Sequence, residues 1–295
     1  MDRRPGRSSC CSAGPKVSGG DLSEPNPTTS LVGGLAKMWR DVWRYEYLIA
    51  NFIRRDLRVK YRNSALGYVW SLLEPLLLSG VYVVLFTIVA GKPQRLYPLW
   101  VIVGMLSWRF FGLCLQQSLA SLISNEGTIL SIYFPRCLFA IASACSSLVM
   151  TSLSLLVAVP FLFYFRVPPT ELLLMVPLGL VLLWMLGLGV GLGLACLNVV
   201  NRDVGHLFAF LVRAGLYISP VLWTVEMGQA KGTAIDYLLL NPAAVPITMI
   251  RNGITGQPLS VSPGQIAYSV TFCVVAFVVG AMVFQRYEAR VIKKL

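Results

Sequence analysis

The reading of the fold starts from residues 171–197, ELLLMVPLGLVLLWMLGLGVGLGLACL, in which the one charged residue, Glu171, stands at the edge. A helix rises about 1.5 Å per residue and a bilayer's hydrocarbon core is about 30 Å thick, so roughly 20 apolar residues in a row suffice to cross it. Five more stretches of this kind flank the first, at 65–90, 97–119, 137–164, 204–224 and 264–285. The expectation is an all-α integral membrane protein with six transmembrane helices. Composition agrees, since 56% of the 295 residues are hydrophobic and only 13% charged, against about 25% charged in soluble domains.

The charges sit outside the apolar stretches. Of 25 Lys and Arg, 12 lie in the first 62 positions and four in the last ten. A net charge of +12 concentrated in this way suits an anionic membrane surface and excludes a basic groove for nucleic acid. With an even number of spans both termini share one side. Placing them inside puts 18 basic residues on the cytoplasmic side and five outside, Lys92, Arg95, Arg166, Lys231 and Arg251, so both termini are expected in the cytoplasm.

Residues 1–35, rich in Gly, Pro, Ser and Arg early on and without a secretory apolar core, read as a disordered cytoplasmic tail. Cys10 and Cys11 are the places where a lipid would attach, the plain alternative being an unmodified tail. Residues 36–63 read as an amphipathic interface region. Between Asp41 and Asn63, Tyr45, Leu48, Ile49, Phe52, Ile53 and Leu57 recur at helical spacing, while Arg44, Arg54, Arg55, Arg58 and Arg62 project to the other side. Asp56 and Lys60, four apart on the apolar side, are placed to pair. This segment is either a juxtamembrane anchor or a cuff at a pore entrance. Residues 64–285 then form the transmembrane domain and 286–295 a basic cytoplasmic tail.

Two connections stand out. Ser121 to Pro135 is cytoplasmic and reads as a short amphipathic helix stopped by Pro135, a docking surface for a soluble partner. Between spans five and six, an apolar external stretch is broken by Gly228, Gly232, Pro242, Pro246, Gly253 and Gly256, with Pro220 bending the span before it. Irregular backbone at membrane depth must be buried in protein or line a cavity, so short re-entrant gate helices are expected there.

No G-x-x-x-x-G-K-[ST] loop occurs, so the chain lacks the usual phosphate cradle for hydrolysing ATP. One histidine, His206, and seven scattered cysteines without C-x-x-C spacing make neither a metal centre nor a disulfide framework. No catalytic residue and no resident cofactor is expected. The glycines from Gly187 to Gly193 read as close helix packing. Glu74, Arg109 and Arg213 are the ionisable residues within spans, and each should face protein or water. Glu74, before Pro75, suggests a polar kink or, less simply, proton coupling; Arg109 and Arg213 are candidates for contact with an anionic substrate group. Tyr68, Trp70, Tyr82, Trp108, Phe110, Phe111, Phe208, Phe210, Tyr217 and Trp223 are either a belt of interfacial and packing aromatics or the lining of a path on which sugar faces stack.

The run Arg55, Asp56, Leu57, Arg58, Val59, Lys60, Tyr61, Arg62, then Leu66, Gly67, Tyr68, Trp70, Ser71, Leu72 and Pro75, resembles the N-terminal signature of the polysaccharide-exporting ABC-2 permeases, the membrane subunits of O-antigen, capsule and teichoic-acid exporters. Gly104 with Trp108, Phe110 and Phe111; Asn125 with Tyr133, Phe134, Pro135 and Arg136; Asn198, Arg202 and Asp203; Ser219 with Pro220; and Asn241 with Pro242 follow in the same order, so the likeness covers about residues 40–290. It implies two copies of this subunit with two copies of a separate ATP-binding cassette ATPase, which would use ATP and Mg, exporting a lipid-linked polysaccharide across the bacterial cell membrane.

The resemblance makes Arg55, Asp56, Arg58, Lys60 and Tyr61 part of an interface helix. Asn125, Glu126, Tyr133, Phe134, Pro135 and Arg136 become the ATPase coupling element. Tyr68, Trp70, Tyr82, Trp108, Arg109, Phe110, Phe111, Arg213 and Tyr217 are the implied channel residues, and 225–255 the gate. The chain departs from the pattern at Ser131 and Cys137, where relatives carry a lysine and an acid, and at Ser107, where a proline is common. A small-molecule or lipid exporter is an alternative, although only Gly91 to Leu96 separates the first two spans where such relatives carry an outer domain. A membrane enzyme or scaffold needing no ATPase is the third.

Overall fold

The computed structural model describes residues 31–60, 69–90, 95–131, 135–168, 170–225 and 240–291. These form α1 (Leu31–Arg44), α2 (Glu46–Lys60), α3 (Val69–Ala90), α4 (Tyr97–Ser124), α5 (Glu126–Ser131), α6 (Cys137–Leu155), α7 (Ala158–Phe165), a 3-10 turn (Glu171–Leu174), α8 (Met175–Val200), α9 (Asp203–Ile218), α10 (Ala244–Thr255) and α11 (Pro263–Val291). Among the described residues there is no strand.

Four segments are long and apolar enough to cross a membrane: Tyr97–Ser124, Cys137–Phe165, Glu171–Val200 and Pro263–Glu288. Of the other two expected spans, α3 has 22 residues, about 33 Å, whereas the 16 residues of α9 reach only about 24 Å. α9 stops because Ser219, which precedes Pro220, takes an extended conformation (ψ 154°), as the proline ring demands of its predecessor. The expected helix 204–224 therefore unwinds six residues early. Likewise Cys137–Phe165 breaks between α6 and α7, where Val157 and Val159 donate to carbonyls three residues back, because Pro160 has no N–H and its ring crowds Leu156.

α4 and α8 form the centre. α4 packs against α8, α6, α3, α10 and α9, and α8 is held between α4 and α11. The glycines of α8 divide between these two neighbours. A Cβ on Gly187 would meet Cys114 at 2.8 Å and one on Gly191 would meet Ser118 at 2.5 Å, both on α4, whereas one on Gly189 would meet the Phe277 backbone of α11 at 2.5 Å. Gly280 of α11 lies against the Gly189 carbonyl. Small residues on both faces bring three helices close, and dispersion then does the work that water exclusion does in soluble cores. Several hydroxyls inside the bundle bond to their own helix, as Ser107 to the Val103 carbonyl (2.8 Å) and Ser154 to that of Met150 (2.9 Å), which removes donors that lipid cannot satisfy.

The amphipathic region comprises two helices, broken at Tyr45. Ile49 is buried, Tyr45, Leu48, Phe52, Ile53 and Leu57 are half-buried, and Arg44, Arg54, Arg55 and Arg58 are exposed, as their spacing predicts. α2 packs on α6, with Phe52 and Phe139 rings 5.0 Å apart, and α1 packs on α11. α1 begins at Leu31, inside the stretch 1–35 expected to be disordered. Met38 is buried, and a Cβ on Gly34 would meet the Gln285 side chain at 2.8 Å, so this glycine serves close approach to α11 and is no sign of disorder.

Candidate functional site

Polar groups exposed within the bundle gather on α3, α4 and α9. The Arg109 guanidinium on α4 donates to the Glu74 carboxylate on α3 at 2.7 Å, with side chains 35% and 52% exposed. Charges at a helix centre cost about 2.5–3.5 kcal/mol each on insertion scales; pairing across two helices offsets part of that. Tyr82 of α3 and Tyr217 of α9 share a hydrogen bond between hydroxyls 3.2 Å apart. The Trp108 indole donates to the Val212 carbonyl at 3.0 Å, and its six-membered ring lies 2.7 Å from where a Cβ on Gly215 would stand. α4 and α9 are thus locked in register, and Trp108 stacks at a tilt on Phe111, centroids 5.3 Å apart.

On α6, α7, α8 and α11 the exposed residues are mostly apolar. Val149, Leu153, Phe163, Leu174, Leu178, Val181, Phe272, Val275 and Val279 of α6, α7, α8, α11 and the 3-10 turn form surfaces that suit lipid.

Where α9 ends, the backbone from Ser219 to Val225 is irregular and mostly buried. Its carbonyls find side-chain donors. Arg251 of α10, 1% exposed, donates to Pro220 at 3.0 Å and Trp223 at 3.1 Å, and the Tyr97 hydroxyl donates to Leu222 at 3.0 Å. Asn241 donates to the Ser219 hydroxyl at 2.6 Å. Every residue of α10 is buried, so this short helix lies inside protein, as irregular backbone at membrane depth requires.

At the opposite end, two asparagines tie corners together. Asn198 of α8 donates to the Leu119 carbonyl (3.3 Å) and accepts from the Gly205 N–H (2.9 Å), joining α8, α4 and α9. Asn125, which follows α4, accepts from Arg55 of α2 at 3.3 Å and donates to the Ser121 carbonyl at 2.9 Å. Arg55 also pairs with Asp56 at 3.0 Å, and beside it Asn51, Arg54, Arg55, Arg58 and Val59 line a shallow basic hollow. Asp56 is thus held by Arg55, where the sequence suggested Lys60, whose side chain lies outside the described residues. Burial raises the Asp41 carboxyl of α1 above the usual carboxylate range, against the pull of Lys37, Arg44 and Arg40.

The ABC-2 type transporter family matches residues 47–255, which is most of the bundle. The chain belongs to that family. It is 26% identical over 208 residues to the O-antigen export system permease protein RfbA of Myxococcus xanthus, covering 70% of this chain and 80% of that one. It is 27% identical over 248 residues to an O-antigen export system permease protein RfbA of Klebsiella pneumoniae, covering 82% and 93%.

In this ABC-2 chain, Trp70, Tyr82, Arg109, Phe111, Arg213 and Tyr217 are exposed or half-exposed, on α3, α4 or α9. Trp108 and Phe110 are buried in the bundle, at 7% and 0% exposure; the indole N–H is used by Val212, so Trp108 joins helices and Phe110 packs. Of the residues expected to couple to an ATPase, Asn125, Glu126, Pro135 and Arg136 are half-buried around α5. Tyr61, Tyr68, Tyr133 and Phe134 lie outside the described residues, as does 226–239 of the expected gate. Among the described residues no group of His, Cys, Asp or Glu is arranged to hold a metal ion.

Sequence reasoning missed Arg251, counted among external basic residues and here buried. The signal was available: an arginine within VPITMIRNGI has no reason to lie on an apolar helix unless it has carbonyls to serve.

Proposed function

We propose that this chain is the membrane subunit of an ATP-driven exporter of a lipid-linked polysaccharide. Two copies form the pathway and two separate ATP-binding cassette subunits, with their ATP and Mg, supply the energy. The observation that carries the reading is the face of α3, α4 and α9, where Glu74, Arg109, Arg213, Tyr82 and Tyr217 are exposed or half-exposed at membrane depth among apolar side chains such as Leu77, Val81 and Leu211, whereas α6, α7, α8 and α11 expose mostly apolar residues. A path for a hydroxyl-rich glycan needs such a face: rings to stack on and polar groups to exchange hydrogen bonds with. Relatives of the chain that are O-antigen export permeases support it.

In this reading α3 and α9 complete a set of six spans, both termini are cytoplasmic, and α10 with the stretch before it gates the outer mouth. The segment around α5 is the coupling element seated on the ATPase. The Arg55 to Asn125 hydrogen bond gives it a mechanical route, because a push on α5 reaches α2 at the membrane surface as well as α4.

Deleting the chain from its native cell and staining the surface for glycan tests the whole reading; unchanged surface glycan would sink it. Replacing Tyr133 and Phe134 together by Ala is expected to leave the protein in the membrane, with surface glycan reduced about tenfold or more. Normal export by that variant would refute the coupling assignment alone.

A further inference from the structure

The exposed residues of α9 are not randomly placed. Asp203, His206, Phe210, Arg213 and Tyr217 follow one another at intervals of three, four, three and four residues and all are exposed. Such spacing puts them in one stripe along the helix. Arg213, ten residues into the helix, is the cation of this stripe at membrane depth. Asp203, the stripe's own carboxylate, is three helical turns away, about 15 Å, out of reach.

Its depth is fixed by α4. Trp108 donates to the carbonyl of Val212, and a Cβ on Gly112 would meet the Val212 side chain at 2.7 Å. Arg109 and Arg213 are the next residues along, so the two arginines spring from nearly one level of the bundle on adjacent helices. Arg109 has Glu74 at 2.7 Å. Among the described residues no carboxylate pairs with Arg213. This level therefore carries one negative and two positive groups, a net charge of +1 per chain, on the face that the other helices leave uncovered.

An uncompensated guanidinium at this depth cannot face hydrocarbon; it needs water and, better, an oxyanion. We propose that Arg213 is the binding site for the phosphate or diphosphate group that joins an exported glycan to its lipid. This rests on the polysaccharide reading above and deepens it. The guanidinium fork holds two phosphate oxygens at once, two copies would present two such forks to a diphosphate, and Phe210 and Tyr217, one turn to either side, are placed to take the apolar carrier and the first sugar. Arg109 is excluded from the role because Glu74 already holds it. An ordinary anionic phospholipid offers the same chemistry, and the experiment separates the two.

The test uses the full chain in phosphatidylcholine nanodiscs with farnesyl diphosphate as probe and farnesol as its uncharged counterpart. Wild type is expected to bind the diphosphate at least about tenfold more tightly than the alcohol. Arg213→Gln should lose that preference, Arg213→Lys, a point charge without the planar fork, should keep only part of it, and Arg202→Gln, at the cytoplasmic end of the same helix, should leave it unchanged. Equal binding of diphosphate and alcohol by wild type would overturn the proposal whether or not any variant folds. So would wild-type affinity in Arg213→Gln, or displacement of the diphosphate by phosphatidylglycerol at equal concentration, which would assign the site to bulk lipid. None of these outcomes depends on export, so surface glycan on cells lacking the chain judges the function separately.

Discussion

Arg251 shows how a single residue makes irregular structure possible in a membrane. The chain after Ile218 must leave the helix because Pro220 forbids continuation, and each carbonyl it frees would cost on the order of 1–3 kcal/mol if left unmet. Arg251 meets two of them from inside α10. Arg251→Ala is expected to lower stability by about 3–5 kcal/mol, combining lost charged hydrogen bonds with the cavity left behind. Arg251→Lys, which keeps the charge but cannot span two carbonyls with a planar fork, should fall between. Thermal unfolding of the purified protein followed by size-exclusion fluorescence measures both. If Arg251→Ala unfolded at the wild-type temperature, the carbonyls of Pro220 and Trp223 would have other donors.

For whole helices the determining feature is how closely they approach, and this rests on glycine. Gly280 faces the Gly189 backbone with no room for a methyl group, whereas a Cβ on Gly80 of α3 would meet nothing within 4 Å. The same substitution should therefore have opposite consequences. Gly280→Ala is expected to destabilise by about 2 kcal/mol or more through forced separation of α8 and α11, while Gly80→Ala should be neutral or slightly stabilising through helix propensity. Equal melting shifts for the two would show that glycine matters here for some reason other than approach. The existence of these helices was legible in the sequence, because hydrophobic runs and their charged flanks depend on composition alone. The amphipathic faces of α2 were legible for a related reason, since periodicity fixes which side chains share a side. What could not be read was where helices stop and what covers them. The early end of α9, the break between α6 and α7 and the burial of Phe110 each follow from a proline or a neighbour whose effect depends on three-dimensional packing. The candidate site was half legible: Glu74, Arg109 and Arg213 were identifiable as costly residues within spans, but only the Trp108 to Val212 contact shows that the two arginines share a level and that Glu74 serves just one of them.

The molecule as a whole has two kinds of surface. Exposed residues of α6, α7, α8 and α11 are mostly apolar and suit lipid, but the face of α3, α4 and α9 carries the Glu74 to Arg109 pair, Arg213, His206 and Tyr217 in the open among its own apolar residues. One chain offers this face nothing on the opposite side, and lipid is a poor neighbour for it. A second copy related by a two-fold axis would set the same face against itself, enclosing water between two such walls, and closed symmetric pairs are the commonest way for a chain to complete such a surface. Among the exposed positions, Val81 of α3 and Ile218 of α9 flank this face, and Phe163 of α7 lies on an apolar one. With Cys10 and Cys11 replaced by Ser, a short bifunctional thiol reagent applied to native membranes is therefore expected to join two copies through Val81→Cys or Ile218→Cys and not through Phe163→Cys. Reaction at Phe163→Cys alone would place the contact between copies on the apolar side and leave the charged face to another protein. No cross-link at any of the three, with each thiol shown to be reactive, would mean that the chain closes its pathway without a second copy and that the charge at Arg213 is matched within one subunit.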